Sequence, residues 1–471
     1  MTSTFDLQSF IQTVVYEESH LEEIRNEPHE QTTPYDFVDP DLDLLDHVPS
    51  PPGRSQRERV SKRQLAFISP RLGVLNNIPF VIPFEQRVTI FRTFVQSDRH
   101  RLGLDLHPFG KPKHRAVIRR DRISEDGFLH LNALGPRLKD PIEIKFIDQY
   151  GLEEAGIDGG GVFKEFLTSL TKDIFDTNKG LWLVNQNQEL YPNPHTFSQE
   201  ALSLEWYGFL GRVLGKALYE GILIDVEFAD FFLNKWLGKQ SYLDDLASLD
   251  PELYQGLLFL KNYKGDVEAD LSLNFTITSN EFDQSTTIEL IPNGSKISVT
   301  ARNRINYIYL ISNYKLNIQF EAQCAAFFRG LNDIVELKWL RMFNQVEIKA
   351  LIGGLDGQDL DFGDLERCTV YGGWNESHET IRIFWRVVKR FDNATKRKLL
   401  KFVTSCSRPP LLGFKELRPA FAIRSSGVDE SRLPSASTCV NLLKLPEYKS
   451  ETQLEEKLVY AINSGAGFDL S

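Results

Sequence analysis

Behind Pro83 the apolar residues Phe84, Val88, Phe91 and Val95 recur at spacings of four, three and four. That spacing lines them along one face of a helix whose first turn accommodates the proline, so order is expected to begin near Ile78. Alternation around Val117-Ile118 predicts a strand leading into a turn at Glu125-Asp126-Gly127, and Ile142-Glu143-Ile144-Lys145-Phe146 alternates as a second strand. Helical spacing returns over 201–222, 317–331 and 379–404, and Leu442, Leu443 and Leu445, between Asn441 and Pro446, suit a short buried strand. The mixture is α+β. Gly211 and Gly215, four apart, share one helix face, where the missing side chains let another backbone come close. No fixed-period repeat is present, which argues against a solenoid or propeller.

Composition narrows the class. The 471 residues are 41% hydrophobic and 25% charged, a globular balance, and the length suggests two to four domains or lobes. Residues 1–50 hold twelve acidic side chains against one basic one, Arg25, and read as largely disordered. The sign flips at Arg54, Arg57, Arg59, Lys62 and Arg63 behind Pro51-Pro52-Gly53, consistent with a solvated linker. A second basic stretch, Lys111 to Arg122, lacks the interleaved aromatics on which nucleic-acid bases would stack. With a net charge of -11, neither nucleic acid nor an anionic membrane is the expected partner. No apolar run approaches the roughly 18 to 20 residues of a membrane-spanning helix, and Met1 to Asp6 lack the basic and apolar regions of a signal peptide. The chain is expected to be intracellular, cytoplasmic or nuclear, and to act on other proteins.

Three clusters could carry chemistry. Gly156-Ile157-Asp158-Gly159-Gly160-Gly161 opens a helix and invites a phosphate, but Lys164 is followed by Glu165 where a nucleotide-binding loop needs a hydroxyl residue for magnesium. His195, His378, Glu200 and Glu379 lack the paired spacing of metal ligands on a helix, and no metal or cofactor is expected. Cys324, Cys368, Cys406 and Cys439 are each more than 30 residues from the next, so none forms a local metal clamp, and any one of them is by default a small buried hydrophobe. Cys439 differs in its surroundings. In Leu433-Pro434-Ser435-Ala436-Ser437-Thr438-Cys439 it ends a loop where a buried strand begins, and small hydroxyl residues leave room around sulfur while offering hydrogen bonds to a thiolate or oxyanion. No histidine stands beside it as a permanent base, which suits transthiolation and argues against a cysteine protease.

These residues carry a resemblance to the HECT family of ubiquitin-protein ligases over residues 132–471. The glycine loop at 156–161, the helix from Gly211-Arg212 to Gly221, Asn303 to Tyr309, Phe402 to Gly413 and the Leu-Pro-x-x-x-Thr-Cys loop come one after another in the family's order. Phe402 to Leu417, the ending Ala466-Gly467-Phe468-Asp469-Leu470-Ser471, and Ile82 to Val88 upstream resemble the proteasome-associated branch, type C.

The resemblance implies a bilobal α+β domain. A large, mostly helical N-lobe (132–367) with a small conjugating-enzyme-binding subdomain near 226–300 would be joined by a hinge at about 368–373 to a smaller α/β C-lobe (374–471). Gly372 and Gly373 could absorb rotation there. Residues 1–77 would remain a largely disordered region and 78–131 a helix-and-strand extension packing on the domain. It also implies roles. Cys439 would accept ubiquitin as a thioester beside Thr438, and Ser437 would stand where many relatives carry histidine, leaving it a hydrogen-bonding role and moving proton transfer toward Asp469. Phe468 would position donor ubiquitin, and Phe231, Phe232, Trp236 and Phe282 would meet the conjugating enzyme. Partners would be ubiquitin, a conjugating enzyme, substrate proteins and, for this branch, the proteasome, although 1–77 is shorter than the N-terminal region expected there. A catalytically silent scaffold with the same lobes is the competing reading.

Overall fold

The computed structural model describes Thr13, Val14 and residues 70–104, 113–148, 150–154, 161–281, 284–354 and 359–464. The chain divides into two compact units, Met1–Arg101 and Leu102–Ser471. In the first, α1 (Pro70–Asn77) precedes α2 (Phe84–Arg101). Helix α1 lies ahead of the expected start at Ile78 and carries no strong apolar stripe. The stripe on α2 behaves as its spacing predicts, with Val88, Phe91 and Val95 buried.

The second unit opens with β1 (His114–Arg119), α3 (Ile123–Leu131) and β2 (Ile142–Ile147), and β1 and β2 pair in parallel from His114 opposite Ile142 to Arg119 opposite Ile147. The strand expected in the 78–131 extension is hydrogen-bonded to β2, so 113–131 shares a sheet with the start of the domain. One expectation is corrected here. Glu125-Asp126-Gly127 is not a turn. It lies inside α3, where Asp126 takes hydrogen bonds from the backbone N–H of Arg119 at 2.9 Å and its Nε at 2.8 Å, and where a Cβ on Gly127 would sit 3.2 Å from Leu170. Tertiary packing has overridden local turn chemistry.

Next come α4 (Gly161–Ile174), the hairpin of β3 (Trp182–Val184) and β4 (Leu190–Pro192), and α5 (Ala201–Glu220). From Tyr207 to Tyr219 α5 is buried almost all round, the pattern of a central helix. Its C′ residue Gly221 adopts φ 71°, the left-handed stop that glycine allows. After α6 (Asp230–Trp236), α7 (Pro251–Asn262), α8 (Val267–Leu271), the antiparallel pair β5 (Thr276–Glu281) and β6 (Gln284–Glu289), and α9 (Arg304–Leu316), the partner of α5 arrives as α10 (Glu321–Ile334). These two helices touch backbone to backbone: a Cβ on Gly211 would lie 2.0 Å from the Phe327 carbonyl oxygen, and one on Gly330 1.8 Å from that of Gly208.

Following α11 (Leu337–Leu340) and α12 (Gln345–Gly353), a second core forms from α13 (Phe362–Arg367), β7 (Val370–Gly372), α14 (Glu379–Arg390), α15 (Asn393–Thr404), β8 (Ala422–Ser425), β9 (Ser435–Ser437), β10 (Leu442–Leu445) and α16 (Glu451–Ser464). Its sheet has the order β7-β8-β10-β9, with β8 parallel to both β7 and β10 and β9 antiparallel. The helical pattern over 379–404 is two helices. Phe391 leaves the helix with ψ 146° and the Asp392 carboxylate accepts from Thr395 N at 2.7 Å, starting the next one.

The expected hinge at 368–373 does not survive. Leu360, Phe362 and Leu365 are buried in the second core, and Val370, Tyr371 and Gly372 pair with Ala422, Ile423 and Arg424. Rotation there would pull a strand out of its sheet. The covalent connection between the two cores is instead the segment after Gly353, ahead of Leu360. Among the described residues no helix is long and apolar enough to cross a membrane.

Candidate active site

Cys439 lies in a tight turn, Thr438–Val440, between the antiparallel strands β9 and β10. Ser437 is the last residue of β9 and pairs with Leu442, while Thr438 is half-buried. The turn is closed by Asn441, which adopts φ 50° and ψ 41°, a left-handed conformation that asparagine tolerates better than most residues. Its N–H donates to the Thr438 carbonyl at 3.3 Å, and its carbonyl accepts from Ala422 N at 2.9 Å, tying the turn to β8.

The Asn441 side chain is wholly buried and held at both ends. Its Nδ2 donates to the Pro419 carbonyl at 2.5 Å, and its Oδ1 accepts from the Nζ of Lys164 on α4. The turn thus packs between α15 of its own core and α4 of the other. Lys164 comes from the glycine-rich motif whose phosphate-binding reading failed for want of a hydroxyl after the lysine. The residue in that place, Glu165, accepts instead from Arg120 Nη1 at 2.7 Å, and Arg120 also grips Glu154 and lies 4.0 Å from the centre of the Phe146 ring. The Glu154 hydrogen bonds and, after them, Glu165 hold the Arg120 guanidinium above its usual pKa against the opposing cost of burial. This network fixes the start of α4, where Lys164 stands.

Two further ion pairs join the cores: Lys401 Nζ to Asp225 Oδ2 at 2.6 Å, and Arg408 to Glu227. Neither Lys164 nor Asn441 was singled out by the sequence reading. A lone asparagine and a lone lysine 277 positions apart carry no local signal of contact.

Two of the other thiols are poorly placed to react. Burial pushes Cys324 up to about 12 and Cys406 to about 11, against which the nearby Lys235 and the backbone N–H of Arg408, respectively, pull only weakly. Cys406 also donates to the Gly353 carbonyl at 3.6 Å. Cys368 is half-buried between α13 and β7. A thiol that cannot ionise near neutral pH is not a nucleophile.

The aromatic residues assigned to a partner surface need correcting. Phe231, Phe232 and Trp236 are at most 1% exposed. Phe232 stacks on Phe328 at 5.7 Å and meets Trp182 at 5.7 Å, Trp236 lies 5.7 Å from Phe327, and Phe231 lies 5.4 Å from Phe320. They are the core beneath α6 and offer no face to another protein. Phe282, Phe468 and Asp469, with the glycine loop up to Gly160, lie outside the described residues. Exposed apolar surface in the same subdomain is found on α7, where Phe259 is 57% exposed and its ring lies 5.2 Å from that of Tyr263, beside a shallow depression also lined by Gln255, Leu258 and Asn262.

Residues 168–471 match the family model described as HECT-domain (ubiquitin-transferase). The chain belongs to the HECT family. Among curated relatives, this HECT chain is 52% identical over 403 residues to a probable E3 ubiquitin protein ligase of Schizosaccharomyces pombe, covering 85% of this chain and 39% of the relative. It is 43% identical over 468 residues to the E3 ubiquitin-protein ligase HUL5 of Saccharomyces cerevisiae, covering 96% and 50%. It is 40% identical over 432 residues to the ubiquitin-protein ligase E3B of Homo sapiens, covering 84% and 40%. The chain spans half or less of the length of each. The matched segment takes in the whole second core and most of the first, beginning inside α4.

Proposed function

We propose that the chain is a HECT-type ubiquitin transferase that carries ubiquitin on Cys439. The observation that supports this most is the position of Cys439 in a HECT-family chain, in a turn between two strands and flanked by Ser437 and Thr438. In the first step the Cys439 thiolate attacks the thioester carbonyl of a loaded conjugating enzyme. A new C–S bond forms and the enzyme's thiolate leaves. In the second step a lysine amine of a substrate protein attacks the Cys439 thioester, an isopeptide C–N bond forms, the Cys439 thiolate departs and the amine loses its proton. A lysine amine titrates near 10.4, so a carboxylate that takes the proton speeds attack at neutral pH, and Asp469 is assigned that task. Ser437 and Thr438 supply hydrogen bonds at the site rather than a base. Ubiquitin, a conjugating enzyme, substrate proteins and a role in proteasomal degradation, in the cytoplasm or nucleus, belong to the same reading.

The conjugating enzyme is assigned to the exposed α7 face rather than to the buried α6 aromatics. Phe259→Ala is expected to slow loading of Cys439 roughly tenfold, as loss of an aromatic anchor does, while a preloaded thioester still reacts with free lysine at its normal rate. Unchanged loading kinetics in that variant would move the docking surface elsewhere.

Phe468 is assigned to positioning the donor. Phe468→Ala should load normally yet transfer slowly, and a parallel loss of both steps would refute that role.

The deciding experiment combines the full chain with activating enzyme, conjugating enzyme, ATP and ubiquitin on a non-reducing gel. A ubiquitin adduct that disappears with reductant supports transfer, and its absence favours the silent scaffold.

A further inference from the structure

The turn that bears Cys439 belongs to the second core, yet a buried side chain of the first core holds it. Lys164 is 9% exposed and Asn441 is fully buried, and their contact joins residues on α4 and just after the turn. Asn441 is well suited to relay a constraint. Its backbone closes the turn through Thr438, its carbonyl extends the sheet to Ala422, and its side chain bridges from Pro419 to Lys164. An ammonium removed from water demands strong acceptors, and an amide oxygen held in a fixed orientation is one. Because the two cores are linked covalently only around 354–359, the Lys164–Asn441 contact exists only while the second core is seated on α4.

From this geometry we propose that Lys164 is a positioning residue that seats the Cys439 turn on α4 for transfer to lysine. This rests on the reading that Cys439 carries ubiquitin. The step is transfer rather than loading, because loading requires the turn to face a conjugating enzyme on the α7 side. In the present arrangement the turn packs on α4 and α15 instead. The ion pairs Lys401–Asp225 and Arg408–Glu227 close at the same time, but Lys401 is 58% exposed and Glu227 43%, so water screens them. Lys164 provides a buried, orientation-specific contact to the turn itself.

The test uses the full chain loaded with ubiquitin, stripped of ATP, and discharged onto free lysine. Lys164→Met keeps the length and the apolar stem but removes the donor. Its discharge should be roughly tenfold slower while loading stays within about twofold, the scale of a lost charged hydrogen bond to a buried acceptor. Lys164→Arg, which retains donors, should recover part of the rate. Asn441→Gly keeps the left-handed backbone and removes the acceptor, so it should slow discharge to a similar degree, and the double variant should be no slower than the slower single one. Discharge of Lys164→Met at the wild-type rate, loss of loading and discharge in equal measure, or additive effects in the double variant would each overturn the proposal. If wild-type chain forms no adduct at all, the thioester reading fails instead, which keeps the two failures apart.

Discussion

Cys439→Ala should abolish the reductant-sensitive ubiquitin adduct completely, not reduce it, in a loading assay followed on a non-reducing gel. The reason is one of supply. A thioester needs a thiolate, and two of the described alternatives, Cys324 and Cys406, are kept from forming one. Burial holds Cys324 up to about 12 and Cys406 to about 11, so at neutral pH fewer than roughly one in a thousand of either is ionised. Cys368 is half-buried just after α13 and packs against the second core. Cys439→Ser provides the complementary check. A serine oxygen in the same turn can at most form an oxygen ester, which resists reductant and yields to hydroxide. Survival of a reductant-sensitive adduct in Cys439→Ala would place the thioester elsewhere and dismantle the proposed mechanism.

Gly330→Ala is expected to cost the fold several kcal/mol, a large share of the ~5–15 kcal/mol that holds a domain together. Its Cβ would lie 1.8 Å from the Gly208 carbonyl oxygen and 2.7 Å from the carbonyl carbon, well inside contact distance. Both partners are helix backbone, so no side chain can swing away. α5 and α10 would have to separate along the face shared by Gly211, Gly215 and Gly330, reopening the aromatic cluster in which Phe327 packs. Gly256→Ala is the control. It lies on α7 with nothing within 4 Å of its Cβ, and should be neutral or stabilising by about 0.5–1 kcal/mol. Urea unfolding of both variants decides the matter, and a Gly330→Ala midpoint indistinguishable from wild type would mean that the two helices are not in backbone contact.

Local periodicity carried much of the fold. The stripe on α2, the strands β1, β2 and β10, and the close helix face at Gly211 and Gly215 could all be read from spacing. Side-chain geometry repeats every two or 3.6 residues, and glycine is selected where backbones meet. Family resemblance carried what spacing could not. Errors fell where a local pattern has two tertiary outcomes. Phe231, Phe232 and Trp236 form an aromatic run that serves equally as interface or as core, and only the arrival of Phe320, Phe327 and Phe328 from α10 and the turn before it settles the matter. Gly372-Gly373 looks like a hinge until β7 is seen to be hydrogen-bonded to β8, and Asp126-Gly127 looks like a turn until Arg119 and Leu170 close around it.

The sequence by itself determined the α+β class, the family and the turn that carries Cys439, because each depends on residues near one another in the chain. Only the tertiary structure decided that the linkage between the two cores precedes Leu360, that the α6 aromatics are interior, and that Lys164 reaches Asn441 across 277 positions. Contacts between distant segments are set by how whole helices and sheets pack, and that packing leaves no periodic trace at the residues where they touch.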